Sequence, residues 1–373
     1  MDFAHTEEQQ AIAELAAQLF TEQATTDRLK EIVATDELRF DRALWAKLAD
    51  ANLLGVCVPE EHGGLGFGLV ELCLVLQQLG RTVAPVPVLA SLAYGALPVV
   101  EFGSDAQQAA LLPGVVSGDA VLTGALVEAL GDPLRPGTTA HESASGWVLD
   151  GTKICVPAGL VADHALVSAS TADGSTGVFL VGLAASGVVR ERQDTTSEIP
   201  EAMIVFDGAT AEPIGPVDTS HTVLRWLLER VTVASSAVQA GVTEGAIRLT
   251  AEYTKTREQF ERPIATFQAV GQRAANAYID ATAIRLTMLH AAWRLADGRD
   301  ASKEVAVAKF FASEAAQRVA RAAQHLHGGM GVDRDYPLYR YYVWNKQLEL
   351  TLGGASRQLV ALGRILADEP VAG

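Results

Sequence analysis

The stretch YTKTREQFERPIATFQ (residues 253–268) ends a long run with helical periodicity and changes character as it does so. It sets a fixed cation, Arg257, close to an amide, Gln259, and an aromatic ring, Phe260. Pro263 breaks the helix, and a second ring–amide pair, Phe267 and Gln268, follows. A guanidinium forks onto phosphate oxygens and a ring stacks on a flat heterocycle. The grouping therefore suits a ligand that carries both a diphosphate and a planar ring system. The plainer alternative puts Arg257 on a solvated face and Phe260 and Phe267 in the core.

The rest of the chain sets the bounds. Its 373 residues are enough for two or three packed regions with a large core. No uninterrupted apolar run approaches the ~20 residues that cross a bilayer. The N-terminus, MDFAHTEEQQ, is acidic and lacks the basic-then-apolar layout of a signal peptide. Cys57, Cys73 and Cys155 are odd in number and show no paired spacing, which argues for a reducing compartment and against disulfides or a zinc site; no metal is expected. A net charge of −16 argues against nucleic acid and requires any anionic ligand to be met by local cations. The expectation is a soluble cytoplasmic protein.

Three regions follow from the change of period. Residues 1–117 read as helices: Thr6, Glu7 and Glu8 precede an apolar-periodic run (Ile12, Leu15, Ala16, Leu19, Phe20), and 44–52 and 69–79 repeat the pattern. Pro59 and the glycine-rich turn His62-Gly63-Gly64-Leu65-Gly66 punctuate them, with His62 expected in solvent. Residues 118–218 read as a small antiparallel barrel or sandwich. GWVLDGTKI (146–154) is expected to be two short strands about an Asp150-Gly151 turn, and 165–170, 177–183 and 202–206 are further strands. Residues 219–373 read as long helices at 221–257, 266–298, 302–327 and about 337–366. Gly328-Gly329 stops the third and Gly353-Gly354 interrupts the fourth, which suggests an antiparallel four-helix bundle.

Residues 253–268 resemble the acyl-CoA dehydrogenase signature Y-x-x-x-R-x-Q-F-G-x-P-I-x-x-F-Q, with Glu261 in place of the glycine. Two more stretches resemble the same family in the right order. LWAKLADANLLGVCVPEEHGGLGFGLVELCLVLQQLGR (44–81) is similar to its N-terminal helical domain, and HLHGGMGVDRDYPLYR (325–340) to its Q-x-H-G-G-x-G segment. The resemblance implies an α+β fold: N-terminal helical domain, central antiparallel β-domain, C-terminal four-helix bundle. It also implies FAD as cofactor, an acyl-CoA substrate and an electron-transfer flavoprotein or similar acceptor.

Desaturating a thioester requires a carboxylate base for the α-proton, donors for the enolate-like oxygen, and a flavin for the β-hydride, which no side chain accepts. The family's usual base is the Glu of a Y-E-G-T-S-like turn. Here that turn reads Thr351-Leu352-Gly353-Gly354-Ala355-Ser356, which puts Gly353 or Leu352 at the base position; its backbone still offers an N–H to the thioester oxygen. A second base position in the family lies in an L-E-R sequence on the helix before the signature. Leu228-Glu229-Arg230 matches it and makes Glu229 the candidate base. The alternative is a surface Glu229 paired with Arg225 one turn earlier.

The family builds its flavin site from two chains. The ADP half is represented by Arg257, Gln259, Phe260 and Gln268, then His325, His327, Gly328 and Gly329, with His325 where a glutamine is usual. His327 has a second reading, as a helix-end residue satisfying the last carbonyls. The ring-holding half departs from the pattern. The loop Val127-Glu128-Ala129-Leu130-Gly131-Asp132-Pro133 lacks the family's hydroxyls, and Ile154-Cys155-Val156-Pro157-Ala158-Gly159 lacks the aromatic residue; Cys155 reads as a small core residue. One half kept and one eroded is the pattern of a subunit in an α2β2 heterotetramer, as in actinobacterial enzymes acting on steroid side-chain thioesters. A homotetramer using Glu229 and a non-catalytic scaffolding homologue are the other readings.

Overall fold

The computed structural model describes residues 5–129, 131–143 and 146–368. Six α-helices come first: α1 (Glu7–Gln23), α2 (Thr26–Thr35), α3 (Arg42–Asp50), α4 (Leu69–Thr82), α5 (Leu97–Phe102) and α6 (Asp105–Ser117), with a π-helical stretch, Leu89–Ala96, leading into α5. Thr6 caps α1 in a reciprocal capping box with Gln9, and Ile12, Ala16 and Phe20 form its buried stripe. His62 is not in open solvent: its side chain is 14% exposed, beside Glu61.

Seven strands follow: β1 (Leu122–Ala125), β2 (Thr139–Ser143), β3 (Gly146–Val156), β4 (His164–Ser170), β5 (Thr176–Gly182), β6 (Val188–Gln193) and β7 (Glu201–Pro213). The pairings run from β2 through β3, β7, β5 and β4 and return to β2, so the sheet closes on itself, with β1 on β4 and β6 on β7. Most pairs are antiparallel; β1–β4 and the single β2–β4 contact are parallel.

The hairpin expected at Asp150-Gly151 does not form. Residues 146–156 are one strand, and both halves pair with the same partner: Trp147 faces Ala211 and Gly151 faces Phe206. The register slips between Leu149 and Gly151, because β7 carries an extra residue as a bulge there. Gly208 takes the positive φ of +67°, and its N–H is accepted by the Asp150 carboxylate at 2.8 Å. The Asp-Gly pair thus serves a bulge in the neighbouring strand, not a turn in its own.

The C-terminal helices are α7 (Thr222–Thr256), α8 (Gln268–Ala296), α9 (Ser302–His327), α10 (Leu338–Leu350) and α11 (Ala355–Asp368). The expected fourth helix is two, separated by residues 351–354. Small side chains let α7, α8 and α9 approach closely: Ala240, Ile284, Ala312, Ala315 and Ala316 form one buried cluster. Gly241 of α7 crosses α4 so tightly that a Cβ there would fall 2.0 Å from the Gln77 carbonyl oxygen. No helix among the described residues is long and apolar enough to cross a membrane. The chain divides into two compact units: one holds residues 1–29, 73–84 and 232–373, the other 30–72 and 85–231.

Within the second unit the Lys153 side chain is fully buried in the barrel. Its ammonium donates to Glu128 at 2.7 Å and to the Ser168 hydroxyl at 3.0 Å. Glu128 also accepts the N–H groups of Gly137 and Thr138 and the Thr138 hydroxyl. Burial alone would raise the Glu128 carboxyl, but the Lys153 hydrogen bond and the Thr138 N–H override it and hold it at about 2. Burial pulls Lys153 down to about 8 against the pull of Glu128, so both are ionised at neutral pH. Replacing Glu128 by Gln strands the buried ammonium and is expected to cost about 3 kcal/mol in a urea melt. The carboxylate's contribution is complete above its ordinary value near 4.5 and is lost as pH falls toward about 2, so the gap between wild type and E128Q narrows across that window.

Candidate functional site

The signature stretch leaves α7 as an exposed two-stranded hairpin in the first unit. Glu258 pairs with Pro263 and Gln259 with Arg262, and the Ile264 N–H closes it onto the Arg257 carbonyl at 2.8 Å. The two loop residues, Phe260 and Glu261, have φ of +54° and +62°, the pattern of a type I′ turn. Glu261 therefore occupies a conformation that glycine adopts without strain. The turn holds the Phe260 ring in solvent at 88% exposure, which rules out the core alternative. Phe267 is half-buried, meeting Phe260 edge-on at 6.2 Å and the Arg262 guanidinium at 4.3 Å. Arg257 and Gln259 are exposed on the hairpin, and Gln268, also exposed, is the first residue of α8.

The second sequence segment meets the first at the ends of α7 and α9. The Tyr253 and His327 rings stack at 4.3 Å and 24°, and the Tyr253 hydroxyl donates to the His327 carbonyl at 3.3 Å. His327 Nδ1–H donates to the Ala323 carbonyl at 2.8 Å, one turn back on its own helix. The Tyr336 ring closes the cluster at 5.2 Å from His327. Burial holds His327 below its ordinary pKa, against the pull of the Ala323 bond. Gly328 follows at φ +59°, and a Cβ on Gly328 or Gly329 would meet nothing within 4 Å. His325 is exposed on the last turn of α9. An exposed cation, amide and ring, a helix N-terminus and two open glycines fit a diphosphate with its attached nucleoside.

The ring-holding half, in the second unit, is committed to its own chain. Glu128 turns inward to Lys153, the Val127 carbonyl accepts the Ile154 N–H, and Leu130 lies outside the described residues. The Thr123 hydroxyl donates to the Pro157 carbonyl, and the Arg190 guanidinium to the carbonyls of Gly159, Leu160 and Ala162. Cys155 is exposed, not a core residue: the strand is irregular there, with φ +51° and the Cys155 N–H given to Gln193. Burial and the nearby Glu201 raise its thiol, which argues against a nucleophile. These residues do not fit a flavin ring.

Glu229 is half-buried on α7 in the second unit. Beside it, Arg230 lies 3.8 Å over the Trp226 ring and donates to the Trp226 carbonyl. Burial lowers Arg230 to about 10, against Glu229 and Glu101. Glu229 thus has a cation next to it on the helix, whatever its relation to Arg225.

Gly353 and Leu352 both have positive φ, +94° and +58°, in the 351–354 loop of the first unit. The Gly353 N–H goes to the Leu350 carbonyl, and the Gln358 amide reaches both loop carbonyls at 3.4 Å. What anchors the loop is a residue that sequence reading passed over. Lys309 of α9 is buried and donates to the Leu348 carbonyl at 2.6 Å, while the Ser313 hydroxyl donates to that of Glu349. The signal was present: Lys309 falls on the apolar face set by Val305, Ala312 and Ala316.

The N-terminal domain model of the acyl-CoA dehydrogenases matches residues 6–119 and the C-terminal domain model residues 222–366. The chain is 42% identical over 379 residues to the acyl-CoA dehydrogenase FadE27 of Mycobacterium tuberculosis, covering 99% of this chain and all of that one. Among solved structures, a variant of the Tcur3481–Tcur3483 steroid ACAD is 45% identical with a TM-score of 0.92, over 97% of this chain and 98% of that one. The ChsE4–ChsE5 complex of M. tuberculosis is 41% identical with a TM-score of 0.93, over the whole of both chains. The chain belongs to the acyl-CoA dehydrogenase family.

Replacing Glu261 by Gly should relieve about 1 kcal/mol of left-handed strain and slow exchange of the Ile264 amide about fivefold, read by hydrogen exchange. Burial draws Lys309 down to about 7 from 10.5, against the pull of Glu349. The unfolded chain therefore holds this proton more tightly, and the cost of burying the charge is relieved as pH rises from about 7 toward 10.5. Lys309→Met should flatten that rise in urea melts taken between these pH values.

Proposed function

We propose that this chain is a subunit of a heteromeric, FAD-dependent acyl-CoA dehydrogenase that desaturates an acyl-CoA thioester between its α and β carbons. The observation that carries the reading is the contrast between an open diphosphate side and a ring side tied to its own chain. The assembly of relatives named as complexes, one of them a steroid ACAD, favours a homologous partner and a steroid side-chain thioester as substrate class.

In this reading Arg257 forks onto the diphosphate, Gln259 and Gln268 hydrogen-bond it, and Phe260 packs on the adenine side. Gly328 and Gly329 let the backbone come close, with His325 and His327 alongside. FAD, when bound, supplies the hydride acceptor that no side chain provides. The chain's own groups orient the cofactor's ADP half for a ring held by the partner. An electron-transfer flavoprotein or similar protein is the acceptor.

A second reading rests on Glu229, half-buried on α7 with Arg230 beside it. Here the chain is a self-sufficient homotetramer and Glu229 takes the α-proton. A non-catalytic scaffold is the third outcome. The test is to purify the chain alone and with a co-expressed homologous chain, then measure flavin absorbance and native mass. Flavin taken up only with the partner, in a four-chain particle, is the expected result. A yellow homotetramer whose turnover disappears in E229Q would replace it with the second reading. Absence of flavin under both conditions leaves the scaffold.

A further inference from the structure

We infer that Tyr253 and His327 form a latch that locks the Arg257 hairpin and the Gly328-Gly329 turn in one register, and so presents a single preformed cradle to a dinucleotide. The inference rests on the reading that these two segments meet the ADP half of FAD.

Both segments depend on the same two residues. Tyr253 sits in the last turn of α7, and its carbonyl accepts the Arg257 N–H at 2.8 Å, so its placement sets where the hairpin leaves the helix. His327 is the last residue of α9, and its carbonyl, held by the Tyr253 hydroxyl, is the one before Gly328. The stacked rings close the loop between the two helix ends. Displacing either ring moves both segments.

The latch also fixes a tautomer. Nδ1 faces a carbonyl at 2.8 Å and must carry the hydrogen, which leaves Nε2 as a bare acceptor. His327 is 3% exposed and Nε2 has no hydrogen-bond partner. The side chains facing the ring are the phenols of Tyr253 from α7 and of Tyr336 from the segment before α10. A proton on Nε2 would bury a cation among aromatic rings without a carboxylate among these neighbours. The latch should therefore open in acid.

Hydrogen exchange on the full chain tests this, with rates corrected for the intrinsic effect of pH. Tyr253→Leu should speed exchange about tenfold in both 257–263 and 328–332 while 302–320 is unchanged, and Tyr253→Phe, which keeps the stack, should fall between. Wild type should lose protection in both segments as pH falls below the ordinary histidine value of 6.5, and His327→Phe, which keeps a ring but cannot titrate, should not. Faster exchange in one segment only, or the same acid response in H327F, overturns the latch. If Y253L fails to fold, Y253F and the acid response decide. FAD titration, with the homologous partner where needed, is a separate arm, and Y253L should weaken binding about tenfold. If wild type takes up no FAD under either condition, the cofactor reading fails while the exchange result still judges the latch. If exchange rises in both segments and FAD affinity is unchanged, the cradle role is overturned.

Discussion

A lysine ammonium with no solvent is the constraint around which the β-barrel is arranged. Lys153 is fully buried on β3, and an unpaired charge there would cost several kcal/mol. The only economical solution is a carboxylate with its own lone pairs satisfied. Glu128 provides it, braced by the N–H groups of Gly137 and Thr138. Gly137 and Thr138 are thereby tied to Glu128 and, through it, to the barrel interior. The Glu128 segment reads, by resemblance, as the flavin-edge loop, so a folding requirement and the absence of its hydroxyls act in the same direction.

The helical unit is organised by α9, which packs against α8, α10 and α11. Alanines on its buried face bring the neighbouring helices close, at the expense of large apolar side chains that would otherwise supply the core. Polar anchors then do what bulk does elsewhere. In its first half, Lys309 and Ser313 satisfy two of the terminal carbonyls of α10 and hold the entry to the 351–354 loop. At its end, His327 stacks on Tyr253 and delivers the two glycines. One helix thus positions both the 351–354 loop and the Gly328-Gly329 turn.

How much of this was legible depended on whether the signal was local. The capping box at Thr6 needs only residues three apart, and the stops at Gly328 and Gly353 need only backbone freedom; all three could be read directly. Asp150-Gly151 misled because an Asp-Gly pair is equally suited to a hairpin and to a bulge, and the extra residue that decides between them lies on β7, more than fifty positions away. Cys155 misled in the same way: its exposure follows from an irregularity of pairing against β7, not from its neighbours in sequence. Lys309 was legible from its place on the apolar face of α9, but the carbonyl it serves lies on α10 and could not be read locally. Phe260 is the opposite case. Its place in a two-residue turn at positive φ was foreshadowed by the glycine of the family pattern, even though Glu261 stands there instead.

In the proposed assembly, the two halves of the dinucleotide site differ in what it would take to use them. On the diphosphate side nothing must be undone: Phe260 and Arg257 are exposed, and the space beside Gly328 and Gly329 is open. On the ring side, admitting a flavin edge would mean breaking hydrogen bonds from Thr123 and Arg190 to four backbone carbonyls and giving up the Glu128 carboxylate that neutralises Lys153. Each neutral bond is worth about 1 kcal/mol net, and stranding the buried Lys153 ammonium costs several more. On the proposed reading, that cost is avoided when the chain lends its open half to a ring held by a second, unlike chain.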